Sequence, residues 1–562
     1  MAGGLLNLVS IGQQNIVLNG NPDKTFWKAG YKKYSNFGMQ KFRLDYEGSR
    51  TLNLTEDSTF TFNVPRYGDL LVDSFINIFL PNIWSPILPP QLISTTPEYQ
   101  YTDWSPYNFR WIDYIGAQMI RKITINCGNQ KLQEYSGAYL LSVVQRDFST
   151  EKRELFNEMI GHTSELIDPG NADGRINQYP NAYYTNNPAG PEPSLRGRNL
   201  IIPMNCLFGL KSQMAFPLVA LQYNELSFQI TFRPINELFQ IRDVYEYLND
   251  FPYIQPNFNV DYQQMYRFLQ PPPDVELNQA SYQDTRSIWN SNIYLTCTYA
   301  FLANEEREAF AANPHTYIFK QVREKIFYDI TGQNRVKLDS TSLVSSWMFY
   351  FQRSDVNVRN EWSNYTNWPY ANIMPLNAIV APNSGTYSVI DPSGVEEMIG
   401  PGINPDRFFT GIFITQNYSP INDKIILQSL GILFNGEYRE NQQTYNVYQY
   451  LEKYTRTGGG YYTDGLLCYN FCLDTSPFHL QPSGAQSTSP FNRIEFEFST
   501  IYPPPNLNAQ TLTICDPDTG QIVGINKNTW DIYLYNYNLV VFEEVINFVE
   551  FYSGNAGLKY AL

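Results

Sequence analysis

Four separate stretches of this sequence alternate apolar and polar residues with a period of two, which commits them to strands rather than helices. Phe60, Phe62 and Val64 alternate with Thr59, Thr61 and Asn63, and Ile123, Ile125 and Cys127 with Lys122, Thr124 and Asn126. Leu226, Phe228, Ile230 and Phe232 alternate with Ser227, Gln229 and Thr231, and Ile494, Phe496 and Phe498 with Glu495, Glu497 and Ser499. Successive side chains of a strand point to opposite faces, so each stretch has one face for a core and one for solvent. The run from Trp530 to Phe542, with Tyr533, Tyr535 and Tyr537 on its second face, predicts a further long strand. Aromatic residues make up 16% of the chain and suit such half-buried pleated surfaces.

Helical signals are few and short. Ser149 or Thr150 caps a segment through Ile160 that Gly161 stops, and Asn304 caps Glu305–Ala312 ahead of Asn313-Pro314. Asn236 opens a turn or two with Leu238, Ile241, Val244, Tyr245 and Leu248 at helical spacing. Each reads as a link between strands. A division follows Arg233-Pro234, because Pro252, Pro256 and Pro271-Pro272-Pro273 mark the next stretch as an extended connector. Each half has many short strands and long Pro/Gly/Asn loops, a pattern that reads as a sandwich or a barrel. No internal repeat is strong enough to prove duplication.

Charge narrows the partners. The net charge is −15, and the basic runs are only Lys32-Lys33 and Arg121-Lys122, so no direct nucleic acid binding is expected. Charged residues are 17% of the chain, a low share for a free surface and a fitting one for flanks covered by copies of itself. Six cysteines, of which only Cys468 and Cys472 are close in sequence, point to maturation in a reducing compartment. The N-terminal residues lack a basic region and predict no secretory leader, and no run of about 18 apolar residues predicts a membrane span.

Searches for catalytic or metal chemistry end in plainer readings. His162, His315 and His479 have no neighbours at metal-ligand spacing. Cys468 and Cys472 lack a second ligand pair and read as packed thiols, alongside the isolated Cys127, Cys206, Cys297 and Cys515. Asp516-Pro-Asp518-Thr-Gly520 starts like a calcium loop, but Lys527 stands where the closing carboxylate belongs, so it reads as a turn. Gly458-Gly459-Gly460 has no following Gly-Lys-Ser/Thr and reads as a mobile loop tip. Ser149-Thr-Glu-Lys152 lacks the companion motifs of the serine enzymes that use that spacing. Glu543-Glu544 and Glu396-Glu397 are adjacent on strands and point to opposite faces, unlike two acids across a sugar-binding cleft. Three Asn-x-Ser/Thr sequons, at Asn53, Asn364 and Asn417, are read as chance. The chain is therefore read as no enzyme, with no catalytic, cofactor-binding or metal residue to nominate.

Dispersed motifs add a resemblance. Gly20-Asn-Pro-Asp-Lys-Thr-Phe-Trp-Lys28, Tyr34–Met39, Val64-Pro-Arg-Tyr-Gly-Asp-Leu-Leu71, Ile78–Pro81, Trp111–Gly116, Glu158–Gly161 and Phe216–Tyr223 occur in order, followed by Leu433–Gly436, Gln481–Gly484 and Asn492–Ile494. Together they resemble the major capsid protein of the nucleocytoplasmic large DNA viruses. The resemblance implies an all-β chain of two consecutive eight-stranded jelly-roll β-sandwiches with long loops and a few short helices. The expected organisation is then an N-terminal arm over 1–25, a first jelly roll over 26–236, a Pro-rich linker or insertion over 237–275, and a second jelly roll over 276–562. It implies a structural protein whose homotrimers form pseudo-hexameric capsomers tiling an icosahedral shell around double-stranded DNA. Expected partners are neighbouring capsomers and minor capsid and penton proteins, with the arm near an inner membrane and glycans on the surface. Expected location is the virion, after assembly in the host cytoplasm. The runner-up, from another class, is a carbohydrate-binding or carbohydrate-cleaving β-sandwich, and a minor or vertex capsid component is a third reading. The length beyond the shortest members of the family falls in 165–200, 237–280 and 355–405.

Overall fold

The computed structural model describes residues 3–10, 12–48, 51–85, 87–88, 92–94, 100–101, 105–106, 108–182, 191–205, 208–243, 252–272, 282–373, 387–390, 396–399, 423–459, 463–504, 513–515, 522–525 and 533–560. Eight strands build a first sandwich: β1 (Phe37–Leu44), β2 (Ser58–Val64), β3 (Leu70–Leu80), β4 (Ile120–Cys127), β5 (Gln130–Tyr135), β6 (Arg198–Pro203), β7 (Leu226–Phe232) and β8 (Tyr294–Leu302). One sheet has the order β1-β8-β3-β6 and the other β5-β4-β7-β2. The period-two stretches behave as read: in β2 the burial alternates, and Phe60 and Phe62 lie fully inside, across from Ile230 and Phe228 of β7.

Eight more strands repeat the plan: β9 (His315–Ile330), β10 (Gln333–Leu338), β11 (Leu343–Arg353), β12 (Leu427–Phe434), β13 (Glu437–Thr444), β14 (Leu467–Asn470), β15 (Ile494–Thr500) and β16 (Tyr537–Tyr552). Their sheets run β9-β16-β11-β14 and β10-β15-β12-β13. Adding eight to each label of the first sandwich reproduces the second. The repetition reaches single residues. Between β3 and β8 the register skips Val72, so that Asp73 faces Thr298 and Leu71 faces Tyr299. Between β11 and β16 it skips Ser345, so that Ser346 faces Glu544 and Val344 faces Val545. One bulge at one place in both sandwiches makes Asp73 the counterpart of Ser346, and Thr298 that of Glu544.

Two features of the pairing shift the expected boundaries. The strand β8 lies between β1 and β3, so the first sandwich closes at Leu302 and not near 236, and residues 276–302 do not start the second. The reason is topological: the last strand of a jelly roll pairs with the first, however long the insertion before it. Nor is 237–275 a linker. Phe239–Arg242 pairs with Phe109–Trp111 and with Tyr253–Ile254, while Phe239, Met265 and Phe268 are buried in the main core. Apolar content decided that segment, against its prolines.

Local readings changed as well. Ser149 caps α2 (Thr150–Met159), its Oγ accepting from the Lys152 amide, and Gly161 ends it at a φ of +82°. In α3 (Asn304–Ala312), however, Ala303 holds the cap position, and Asn304 turns its Oδ1 to Arg307. Ile235–Glu237 makes one 3-10 turn before the strand at Phe239, so no helix carries Leu238 and Ile241; Val244, Tyr245 and Leu248 lie outside the described residues. Residues 533–536 do not join the late strand, which starts at Tyr537, where Tyr535 and Tyr537 both donate their hydroxyls to Asn367 Oδ1 and anchor the chain; residues 530–532 lie outside the described residues. No local pattern announced α1 (Gly137–Asp147), which is buried around nearly its whole circumference and so lacks the polar stripe that marks a surface helix.

Candidate functional site: the joint between the sandwiches

Helix α1 belongs to the first sandwich and lies against the outer face of the β9-β16-β11 sheet of the second. Ser136 caps it, accepting from the Tyr139 amide at 3.2 Å. Its first residue must be glycine: a Cβ on Gly137 would come within 1.9 Å of the Ala117 carbonyl oxygen. The strand it meets, β16, is covered on both sides. Leu539, Val541 and Val545 enter the core of the second sandwich, while Val540 and Phe542 join the core shared with the first. Burial on both sides is why this strand reads as a nearly unbroken apolar run.

Charges sit at the centre of the joint. Arg146, on the last turn of α1, is 1% exposed. Its guanidinium donates to Asp147 at 2.8 Å, to both Glu544 oxygens at 2.9 and 3.0 Å, and to Ser346 Oγ at 3.3 Å. Tyr139 donates to Glu544 at 2.9 Å, Ser346 donates to the same carboxylate, and Thr475 donates to Asp147. Lys320 Nζ lies 4.0 Å from Glu544 and donates to the Thr475 carbonyl. Two cations thus face two carboxylates, and the donors are spread over both sandwiches. Burial raises the Asp147 carboxyl despite its bond to Arg146. For Glu544, burial acts upward, but the charges of Arg146 and Lys320 and the bonds from Ser346 and Arg146 outweigh it and hold the carboxyl at about 2.

That depressed value gives a pH dependence. Above pH ~4.5 the carboxylate is charged in both folded and unfolded chains, and its contribution is complete. As pH falls from there toward 2, the unfolded chain binds a proton that the folded chain refuses, and about 3 kcal/mol of stability drains away. Glu544→Gln is expected to flatten the denaturation midpoint against pH across that window. Parallel profiles for the variant and the parent would show that this carboxylate is not the group responsible.

A second set of contacts bridges the sandwiches. Asn360 donates to the carbonyls of Asn236 and Phe239, and Trp362 Nε1 to that of Glu237 at 3.0 Å. Arg110 pairs with Glu361 at 3.3 Å and stacks over Tyr253. Burial pushes up both Glu361 and Asp113, the latter held against Arg110. Beside the ion cluster a largely apolar cleft remains, bordered by Leu140, Val143, Lys320 and the Gln481–Gly484 stretch.

The residues weighed in the sequence fall as follows. Glu544 lies in the joint, and Glu543 faces the other core, accepting from Trp347 Nε1 at 3.0 Å with Arg323 and Lys325 each 3.8 Å away. Both are sealed off on opposite faces of one sheet, so the pair does not flank a sugar-binding cleft. His162 stacks on Tyr114, and burial lowers it to about 4; His315 bonds the Phe310 carbonyl, and His479 pairs with Asp474. Among the described residues, no group of three His, Cys, Asp or Glu side chains is placed to hold a metal ion. Cys127, Cys297, Cys468 and Cys472 are buried and form no disulfide with one another, and burial pushes Cys127 and Cys468 up to about 11. Gly459 is no mobile tip: a Cβ there would meet the Phe148 carbonyl at 2.6 Å and that of Arg146 at 2.8 Å, so this glycine seals the end of α1. Asn364 is buried, donating to the Trp368 carbonyl, whereas Asn53 is exposed. Arg121 and Lys122 are engaged by Asp57, Glu237 and Glu134. Cys206, Gly460, Asn417 and Asp516–Gly520 lie outside the described residues, and Glu396, Glu397 and Cys515 are described only as strand backbone. Sequence reasoning missed Arg146 and weighed Glu544 only as one of two adjacent carboxylates; Arg146 and Glu544 are 398 positions apart, and no local pattern links them.

Residues 25–296 match a family model described as the major capsid protein N-terminus. A major capsid protein of Chrysochromulina ericina virus is 28% identical over 358 residues, 60% of this chain and 55% of that protein, so the match spans about half the length of that relative. A major capsid protein of Phaeocystis pouchetii virus is 24% identical over 608 aligned positions that cover both chains completely. In three dimensions, the Faustovirus major capsid protein superposes with a TM-score of 0.59 at 12% identity, covering 97% of this chain and 96% of that one.

Proposed function

We propose that the chain is a major capsid protein of the large DNA virus family, and that three copies close into a capsomer that presents six similar sides to a shell lattice. The observation that carries this reading is the duplication: two sandwiches of identical strand order, with the same bulge at corresponding positions. Three copies of two such wedges fill a near-sixfold position by exact threefold symmetry, and closure buries flanks that would otherwise stay open. In this reading the protein sits in the capsid shell and works through its surfaces, without a catalytic centre. The joint fixes the angle between the wedges, because its ion cluster and the Asn360 and Trp362 clamps tie both sandwiches at several points. The division we assign is 37–302 and 315–558, with the segment before Phe37 as an arm. Leu5, Leu6, Leu8, Ile16, Val17, Phe26 and Trp27 of that segment are all exposed, which suits docking on neighbouring shell components. Neighbouring capsomers and minor or penton proteins are the partners this family reading supplies.

Light scattering and negative-stain electron microscopy of the purified chain test the reading. The expected mass is three times 65.0 kDa, with hexagonal outlines that persist on dilution. A folded monomer at all concentrations would overturn it.

A further inference from the structure

The chain contains one complete joint and the two separate halves of another. The matched bulge makes Asp73 and Thr298 on the first sandwich the counterparts of Ser346 and Glu544 on the second. Each pair consists of one carboxylate and one hydroxyl, exchanged between the two strands. On the second sandwich, that pair receives Arg146 and Tyr139 from the helix of the preceding sandwich. On the first sandwich, Asp73 Oδ1 and Thr298 Oγ1 are buried with no hydrogen-bond partner, and Thr298 is only 6% exposed. A buried acceptor without a donor is costly and points to a donor from elsewhere. On its β1 side this socket is open, while beside it Ala215 and Phe310 cover Leu70 and Ala300. Phe37 and Met39, the counterparts of Ile318 and Lys320 by the same register, are more than half exposed at 56% and 61%, and Phe79 and Ile201 are exposed too.

The complementary half lies on the second sandwich. The helical segment Val447–Arg456 follows β13 as α1 follows β5, a π-helical turn running into an α-helical one. Tyr448 faces its own core and donates to the Leu430 carbonyl at 2.7 Å. The opposite side shows Tyr450, Leu451 and Tyr454, the last 88% exposed. Val447, Leu451 and Tyr454 repeat the spacing of Tyr139, Val143 and Arg146, of which Tyr139 and Arg146 bond Glu544 and Val143 lines the cleft with Lys320.

We propose that the segment Val447–Arg456 of one copy docks on the outer face of the β1-β8-β3 sheet of a second copy, repeating between chains the joint made within each, with the Tyr454 hydroxyl as donor to Asp73. This inference rests on the trimer reading above. It adds which surfaces meet. The chemistry of the two sockets differs in a consistent way. The internal joint gathers two carboxylates and needs a guanidinium, whereas the external one offers a single carboxylate, for which a neutral phenol suffices. Lys41, directly opposite Thr298, supplies a cation on the same face. The contact is head-to-tail: the helix and the socket are different surfaces of the chain, so each copy gives one and receives one, and the chain of contacts ends only by closing into a ring.

Cysteine cross-linking of the full chain tests this. Met39→Cys combined with Leu451→Cys, treated with a short bis-maleimide, is expected to give covalent dimers and trimers on a denaturing gel, while either single variant gives monomers. The pair Val143→Cys with Lys320→Cys, at the corresponding places of the internal joint, should cross-link within one chain and serves as the control. Tyr454→Phe should raise the concentration at which the trimer dissociates about tenfold or more, as expected for a lost hydrogen bond to a charged group. A trimer by light scattering that gives no covalent dimer in the double variant would overturn this interface and leave the trimer standing. A chain that is never trimeric would overturn both.

Discussion

Arg146→Met is expected to destabilise the protein by about 3–5 kcal/mol, the cost of removing one partner from a buried ion cluster. The substitution keeps most of the side-chain volume and removes the donors to Asp147, Glu544 and Ser346. Glu544 then keeps Tyr139 and Ser346, but its remaining cation, Lys320, is 4.0 Å away. Asp147 keeps only the Thr475 hydroxyl among its donors named above. The loss is mainly electrostatic, so it is repaired by removing the stranded charges. Arg146→Met with Asp147→Leu and Glu544→Leu is expected to recover most of the stability, because an apolar cluster of similar volume avoids the desolvation that the ion cluster suffers. Denaturation followed by fluorescence reads both. The single variant is further expected to divide one transition into two, since the residues that lock the sandwiches together are those it disables. A single variant as stable as the parent, or a triple variant no better than the single, would mean that the cluster does not hold the joint.

Trp347→Ala is the second large effect, also about 3–5 kcal/mol. Trp347 is fully buried in the second core, with edge-on contacts to Phe471 at 4.9 Å and Phe496 at 5.2 Å and a stacked one to Tyr469 at 6.2 Å. Its removal leaves a cavity and strips Glu543 of the indole donor. Trp347→Phe retains most of the packing and loses the donor, so it should cost markedly less. The counterpart of Trp347 in the first sandwich is Ser74, whose hydroxyl meets Cys297 Sγ at 3.4 Å, and Cys297 is itself the counterpart of Glu543. Ser74→Ala should cost about 1 kcal/mol, the value of one modest hydrogen bond. Equal costs at the two positions would contradict the claim that the sandwiches share a plan but not a core. Hydrogen exchange should show lost protection concentrated in β12 and β15, with β2 and β7 little changed.

Much of the fold was legible because strand periodicity is local. The alternation of Phe60 with Thr61, or of Phe228 with Gln229, depends only on which side of one strand faces a core, and a strand obeys it wherever it lies. The cap at Ser149 was legible for the same reason, its partner being three residues away. What failed was whatever depended on a distant neighbour. The helix α1 was missed because both its faces are covered, and the start of β16 was misplaced because Asn367 fixes it from another part of the chain. The prolines at 271–273 suggested a connector where Phe239 and Phe268 build a packed layer.

The sequence by itself determined that this is a β-rich, weakly charged chain of sandwich or barrel type, and its dispersed motifs pointed to the shell-protein family. The tertiary structure alone decided that the two sandwiches are copies of one plan, since matching strand order and a shared bulge survive when nearly every side chain has changed. It alone joined Arg146 to Glu544 and showed the first sandwich's socket, Asp73 and Thr298, without a donor. The physical reason is the range of the interactions. Alternation, caps and turns act over a few residues and are written in local order. Ion clusters and joints act through space between segments hundreds of residues apart, and only the folded chain brings them together.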